Sequence, residues 1–269
     1  MKKIMIASLF ACLSTHAFAE STLNTPLQGK QLHGIMQNDY EPLVFVDDKG
    51  ENSGYFYELV AAAAKKLGAN LSIANGTFDT FIPGLQSQRF DLALGTDATV
   101  ARQQVVDIIP LIDAGYSFIT QTKSTVHLGK QMDALCGHSV AALAGQSTLD
   151  ALNEQAAQCE KQGKPALRVA IFPSRSAAWL AVKSGQAELT PVYTGEAGWI
   201  TKKDPDWRVT GPVFNSGESG FSVNKESGNA KAWAAAINAL IADGSYQAIL
   251  KKYGVQNVGL KKVVINPAT

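Results

Sequence analysis

One feature constrains this chain most: short apolar runs alternate with segments of helical period, and the alternation is traversed twice. In the first pass, residues 31–36 read as a strand, Gln37-Asn38-Asp39 as a turn, and 43–46 as a second short strand before the turn at 47–50. Leu59, Val60, Ala63, Ala64 and Leu67 lie on one face of a helix over 57–67, and Gly68 stops it. A strand at 71–73, a short helix at 78–86 and a strand at 90–94 ending on Gly95 complete the pass. The second pass has strands at 139–143, 167–172 and 187–192, separated by helices at 148–161 and 176–183. Segments 84–94 and 181–191 share a plan: a helix end, a polar turn, then a strand opening with an acid and Leu. Such alternation specifies βα units on mainly parallel sheets. A strand at 220–224 and two helices at 230–242 and 246–253, split by Asp243-Gly244, close the chain. The economical arrangement is two α/β lobes with a cleft between them.

The first residues are set apart from this grammar. Lys2 and Lys3 precede an apolar stretch over 4–13, and Ala17-Phe18-Ala19 forms a small-x-small cleavage site before Glu20, the pattern of a secretory signal peptide. A competing reading takes Leu9-Phe10-Ala11-Cys12 as a lipoprotein box, although bulky Phe10 stands where a small residue is preferred. Removing 1–19 leaves 22 bases against 23 acids, a balance that does not call for nucleic acid. No later apolar run approaches the roughly 20 residues needed to span a bilayer. Two cysteines then remain, Cys136 and Cys159, and an even pair in an exported chain reads as a disulfide. The alternative is two buried thiols. Metal binding finds no support, since His138 is the only nearby histidine and no CxxC spacing occurs.

Ligands in open α/β sheets sit beyond the carboxyl ends of strands, and three such ends carry small or polar residues: Gly95-Thr96-Asp97, Gly145-Gln146-Ser147 and Tyr193-Thr194-Gly195. Thr99 reads as an N-cap for a helix beginning at Val100, yet the third helical position holds Arg102 instead of the Glu or Gln of a capping box. A cation in the first turn opposes the helix dipole. Arg102 therefore either forks a ligand carboxylate or pairs plainly with Asp97 or Asp107. Ser147 reads as a helix cap, or as an anion-binding hydroxyl at the same helix start. Tyr40 and Phe78 are either ligand platforms or core. His33, His127 and His138 are scattered, and no Ser-His-Asp, HExxH, phosphate-loop or paired-carboxylate motif can be quoted.

The order Tyr40-Glu-Pro-Leu, Gly50, Gly54, Glu58-Leu59 and Leu67-Gly68, then 78–85, Phe90-Asp91, Thr99-Val-Ala-Arg102 and Val106-Asp107, resembles periplasmic amino-acid-binding proteins of ABC importers, the extracellular solute-binding protein family 3. Leu135-Cys-Gly137, Gly145-Gln-Ser147, Cys159, Gly163-Lys164, Ser184-Gly185, Glu188, Asp243-Gly244, Tyr246, Ile249-Leu250 and Tyr253-Gly254 continue the likeness. It implies the two-lobed periplasmic-binding-protein fold, α/β in class. Two crossing strands, near 116–121 and 219–224, would join lobe one (26–118 and 221–269) to lobe two (119–220). It implies that Arg102 and Ser147 hold a ligand carboxylate, that Tyr40 or Phe78 packs on the ligand, and that Gly95, Thr96, Asp97, Gln146 and Tyr193 line the cleft.

Two departures stand out. Asp97 replaces the family's Ser or Thr, and Tyr193 replaces the Asp that commonly accepts the ligand's α-ammonium. Either Asp97 takes over the ammonium or the ligand is not a standard α-amino acid. The opening Gly-Phe-Asp motif is also altered, to Gly54-Tyr-Phe-Tyr-Glu58. The expectation is a periplasmic, monomeric, non-enzymatic receptor without a cofactor, delivering an amino acid or related carboxylate to a membrane ABC permease. The rivals are a cyclohexadienyl-dehydratase-like enzyme, with Asp97 or Glu196 as general acid or base, and a ligand-sensing module.

Overall fold

The computed structural model describes residues 23–268; the leader, Cys12 and the cleavage site after Ala19 lie outside them. The first lobe opens with β1 (Gln31–Met36) and a small antiparallel meander, β2 (Asp39–Tyr40), β3 (Val44–Val46) and β4 (Asn52–Ser53). The helix α1 (Tyr55–Lys66) starts two residues earlier than its apolar period suggests and buries Tyr55, Phe56, Leu59, Val60, Ala63 and Ala64. Its N-cap is Gly54 at φ 108°, where an added Cβ would stand 2.3 Å from the Leu43 carbonyl oxygen, so only glycine lets helix and meander approach this closely. Then follow β5 (Asn70–Asn75), a 3-10 turn at Phe78–Thr80, α2 (Phe81–Gln86), β6 (Leu92–Asp97) and the short α3 (Val100–Val105).

The long strand β7 (Val106–Gln121) leads into the second lobe. That lobe contains β8 (Ser139–Leu143), α4 (Thr148–Lys161), β9 (Arg168–Phe172), α5 (Arg175–Lys183), β10 (Thr190–Tyr193) and α6 (Thr194–Lys203). A second long strand, β11 (Trp207–Asn224), returns to the first lobe, where α7 (Ala230–Ala242) and α8 (Ser245–Lys252) end the chain. The largest sheet runs β10-β7-β11-β6-β1-β5. Its β1, β5 and β6 are parallel, whereas β11 lies antiparallel to both β6 and β7. At 16 and 18 residues, β7 and β11 are about three times the usual strand length, and the crossing segments expected from the sequence are parts of them. At Gly220 the register slips and an added Cβ would fall 2.0 Å from the Ile109 carbonyl oxygen, so the two strands touch backbone to backbone.

Two elements were not legible in the sequence. The helix α6 contains Gly195 and Gly198, each costing about 1 kcal/mol relative to Ala in a helix interior. It forms because Glu196, Ala197 and Ile200 are buried against the rest of the lobe. The first half of β11 is only partly buried and is interrupted by Gly211-Pro212, and it is held by pairing with β7 from Trp207 to Thr210.

The C-terminal helices are fastened to the first lobe. The Tyr246 hydroxyl donates to the Leu111 carbonyl at 2.6 Å, and Glu58 of α1 accepts from Lys252 and Tyr253 at 2.6 and 2.5 Å.

Cys136 and Cys159 are disulfide-bonded, with their Cα atoms 5.6 Å apart, tying the turn before β8 to the last turn of α4. Closing this loop restricts the unfolded chain and is worth about 3 kcal/mol. Replacing both cysteines by serine should therefore lower the unfolding free energy by about that amount in urea titration. An unchanged midpoint would show that the bridge contributes nothing.

Candidate functional site

The three strand ends singled out in the sequence meet where the lobes face each other. Asp97, at the end of β6, is the centre. Its Oδ2 accepts from the Ser147 hydroxyl at 2.5 Å and the Tyr116 hydroxyl at 3.0 Å, and its Oδ1 accepts from the Tyr193 hydroxyl. Ser219 of β11 lies 2.9 Å from the same Tyr193 oxygen. Burial, and after it the charge of Asp97, pushes the Tyr193 and Tyr116 phenols well above their ordinary value. Both phenols therefore remain protonated donors at any physiological pH.

Arg102 sits beside this carboxylate. Thr99 caps α3 as expected, accepting from the Arg102 backbone N–H at 3.3 Å. The guanidinium donates to the Asp97 carbonyl at 3.3 Å and, across the cleft, to the Gly145 carbonyl at 2.8 Å. Its closest approach to the Asp97 carboxylate is 3.6 Å, an ion pair without a hydrogen bond, and its Cζ stands 5.1 Å from the centre of the Phe78 ring. The capping role offered for Ser147 is not realised: its hydroxyl bonds no backbone N–H of α4 and crosses to Asp97. Thr96 points away from this cluster, its hydroxyl 2.9 Å from Ser222 in the sheet.

Tyr40 is 3% exposed. It receives a long 3.5 Å contact from the Gln146 amide on its hydroxyl and meets the Tyr193 ring edge-on at 6.2 Å. At the outer seam Asp39 accepts from the Ser176 backbone N–H and hydroxyl at 2.9 and 2.8 Å, and Lys203 donates to Glu41 at 2.7 and 2.6 Å. A cavity of about 360 Å³ opens beside Asp97 and Ser147, and another of about 390 Å³ beside Arg175 and Trp199.

Sequence reasoning missed Tyr116, Ser219 and Arg175. The first two are strand residues set by sheet register: Tyr116 of β7 lies opposite Tyr193 of β10, and Ser219 of β11 opposite Asp97 of β6. Arg175 carried a usable signal. It opens α5 directly after the capping Ser174, a cation in a first helical turn like Arg102. It pairs with Glu196 at 3.2 Å, their side chains 4% and 0% exposed. Two histidines expected to have no chemical role bond to side chains of neighbouring segments, His33 to Ser72 and His138 to Glu188. Among the described residues no cluster of His, Cys, Asp or Glu could hold a metal ion.

The model of the bacterial extracellular solute-binding proteins, family 3, matches residues 32–256. An arginine-binding protein of Corynebacterium glutamicum is 26% identical over 230 residues, spanning 84% of this chain and 75% of its own length. An L-cystine-binding protein of Escherichia coli is 25% identical over 256 residues, spanning 93% of this chain and 92% of its own. Among solved structures, an ancestral arginine-binding protein bound to arginine superposes with a TM-score of 0.74 at 25% identity, covering 84% of this chain and 99% of the other.

Glu196 yields a pH dependence. Burial raises its carboxyl from 4.5 to about 7, and Arg175 only partly opposes this. Between those values the folded protein binds more protons at this site than the unfolded chain does. Its contribution is therefore fully present below about pH 4.5 and lost as pH rises through about 7. The difference in thermal midpoint between wild type and Glu196→Gln should accordingly shift against the wild type across that window in scanning calorimetry. A constant difference would mean that the carboxyl titrates in its ordinary range.

Proposed function

Because this chain belongs to the bacterial extracellular solute-binding proteins, family 3, we propose that it captures an amino acid or related small carboxylate between its lobes and delivers it to the permease of an ABC importer. In this reading the leader is removed after Ala19 and the protein works as a periplasmic monomer. Lobe one comprises 26–118 and 221–269, and lobe two 119–220. Closure of the lobes by hinge motion, on a μs–ms scale, engages the solute.

The observation that carries this reading is the convergence of both lobes on Asp97 and Arg102. A carboxylate offers about four acceptor positions. Three hydroxyls use three of those on Asp97, which leaves one position on Oδ1. That position suits the α-ammonium of a ligand, the task Tyr193 cannot perform as a neutral phenol. Arg102, bonded to backbone carbonyls and not to the Asp97 carboxylate, has further N–H groups for the ligand carboxylate. Asp97 and Arg102 together thus match a zwitterion. Tyr40 and Phe78 serve as aromatic walls, and Gly95, Gln146 and Ser147 border the same space. Thr96 supports the site from the sheet. The relatives' names describe binding proteins, which supports a receptor over a catalyst. So does the engagement of the two carboxylates that the rival enzyme reading needs: Asp97 is saturated by hydroxyls on one oxygen, and Glu196 is paired with Arg175.

Removing Arg102 strips a charge-assisted contact worth roughly 2–5 kcal/mol. Arg102→Ala should abolish calorimetric binding at micromolar ligand, and retained wild-type affinity would place the carboxylate elsewhere. Asp97→Asn should weaken an α-amino acid by well over about tenfold, because a buried ammonium would lose its anionic partner. It should weaken the matching deaminated acid much less. Equal losses for both ligands would reject the ammonium role.

A further inference from the structure

Both aromatic platforms of the cleft already carry a guanidinium from the chain itself. The Arg102 Cζ lies 5.1 Å from the centre of the Phe78 ring, and the Arg175 Cζ lies only 3.8 Å from the centre of the Tyr40 ring. Arg175 also stands 4.6 Å from the Trp179 ring, so its cation is held between an aromatic of each lobe, with Glu196 as counter-ion. At 3.8 Å, no second cation fits on that face of Tyr40.

The Arg175–Glu196 pair is incomplete within the protein. Its one hydrogen bond joins Arg175 Nη2 to Glu196 Oε2. The other ends, Arg175 Nη1 and Glu196 Oε1, are buried with no hydrogen-bond partner among the described residues. One is a donor and the other an acceptor, and leaving buried polar atoms of this kind unpaired is costly. Arg175 also lines the cavity of about 390 Å³ at the seam between the lobes, beside Trp179 and Trp199. Glu196 is fully buried and does not line that cavity, so a solute meets the pair only once the lobes open; a carboxamide, with an acceptor and a donor on one neutral, planar group, then complements both free atoms. A basic side chain offers donors alone and would leave Nη1 facing a like charge.

We propose that Arg175, held by Glu196, is the specificity determinant of the cleft: it excludes cationic side chains from Tyr40 and recognises a neutral carboxamide at the far end of the solute. This rests on the reading of the cleft as an amino-acid site.

The test is isothermal calorimetry at about pH 8, where the Glu196 carboxyl, raised to about 7, is ionised, on protein freed of ligand by unfolding and refolding, with L-glutamine, L-asparagine, L-glutamate, L-arginine and L-lysine as probes. The expected result is binding of at least one carboxamide, with arginine and lysine weaker by about a hundredfold or more, as like-charge juxtaposition implies. Glutamate, an acceptor without the donor, should fall between them. In Arg175→Gln combined with Glu196→Gln, which removes both buried charges together and leaves none unpaired, the discrimination should shrink to within about tenfold. The single variant Arg175→Met, which frees the Glu196 carboxylate, should gain affinity for arginine. Wild-type binding of arginine or lysine as tight as that of the carboxamides overturns the inference while leaving the amino-acid reading intact. So does unchanged discrimination in a folded double variant. If none of the five probes binds, the amino-acid reading itself falls, and this inference with it.

Discussion

A carboxylate shielded from water has to be met by donors, and Asp97 is met by donors from both sides of the cleft. Tyr116 comes from the crossing strand β7, Ser147 from the start of α4 and Tyr193 from the end of β10. None of these can be displaced without leaving an acceptor unsatisfied, at a cost of about 1–3 kcal/mol, more where charge is involved. The relative placement of the lobes is thus written in the hydrogen bonds of one side chain. Arg102 adds a second link by reaching from α3 to the Gly145 carbonyl of the opposite lobe. The two lobes are joined across the cleft by one carboxylate and one guanidinium.

That arrangement depends on rigid supports on each side. In the first lobe, Gly54 allows α1 to seat against the meander that carries Tyr40, and the C-terminal helices lock α1 from outside through Glu58. In the second, the Cys136–Cys159 bridge anchors the end of α4, whose first turn follows Ser147. Among the described residues only β7 and β11 run between them, paired along most of their length, with a backbone contact at Gly220. A two-stranded connection with register shifts in its middle is the natural place for bending, because few side chains have to repack there.

Two arginines sit in first helical turns, against the helix dipole, and both turn out to bear on the cleft. Arg102 is compensated by backbone carbonyls and by Asp97, and Arg175 by Glu196. Each covers an aromatic residue of the first lobe. An unfavourable charge placed by the sequence at a helix start is stabilised only by the surrounding tertiary structure, which makes it a useful pointer to places where that structure has other work. The same signal stands at Thr99–Arg102 and at Ser174–Arg175.

The sequence by itself determined most of the order of strands and helices, the cap at Thr99, the disulfide between Cys136 and Cys159, and the strand ends at which Asp97, Ser147 and Tyr193 stand. These follow from local rules: periodicity, capping chemistry, cysteine count, and the habit of α/β sheets to present ligand sites at strand ends. Tertiary structure alone decided that α6 is helical despite two glycines, since its stability comes from burial of Glu196, Ala197 and Ile200. It alone joined Tyr116 and Ser219 to the site, through the pairing of β7 with β10 and of β11 with β6. It alone gave the Ser147 hydroxyl to Asp97 in place of its own helix, and set Arg175 on Tyr40, 135 positions away in the chain. The reason is the same in each case. A side chain's partner across a cleft depends on how two separately folded lobes meet, and no local pattern of residue types encodes that distance.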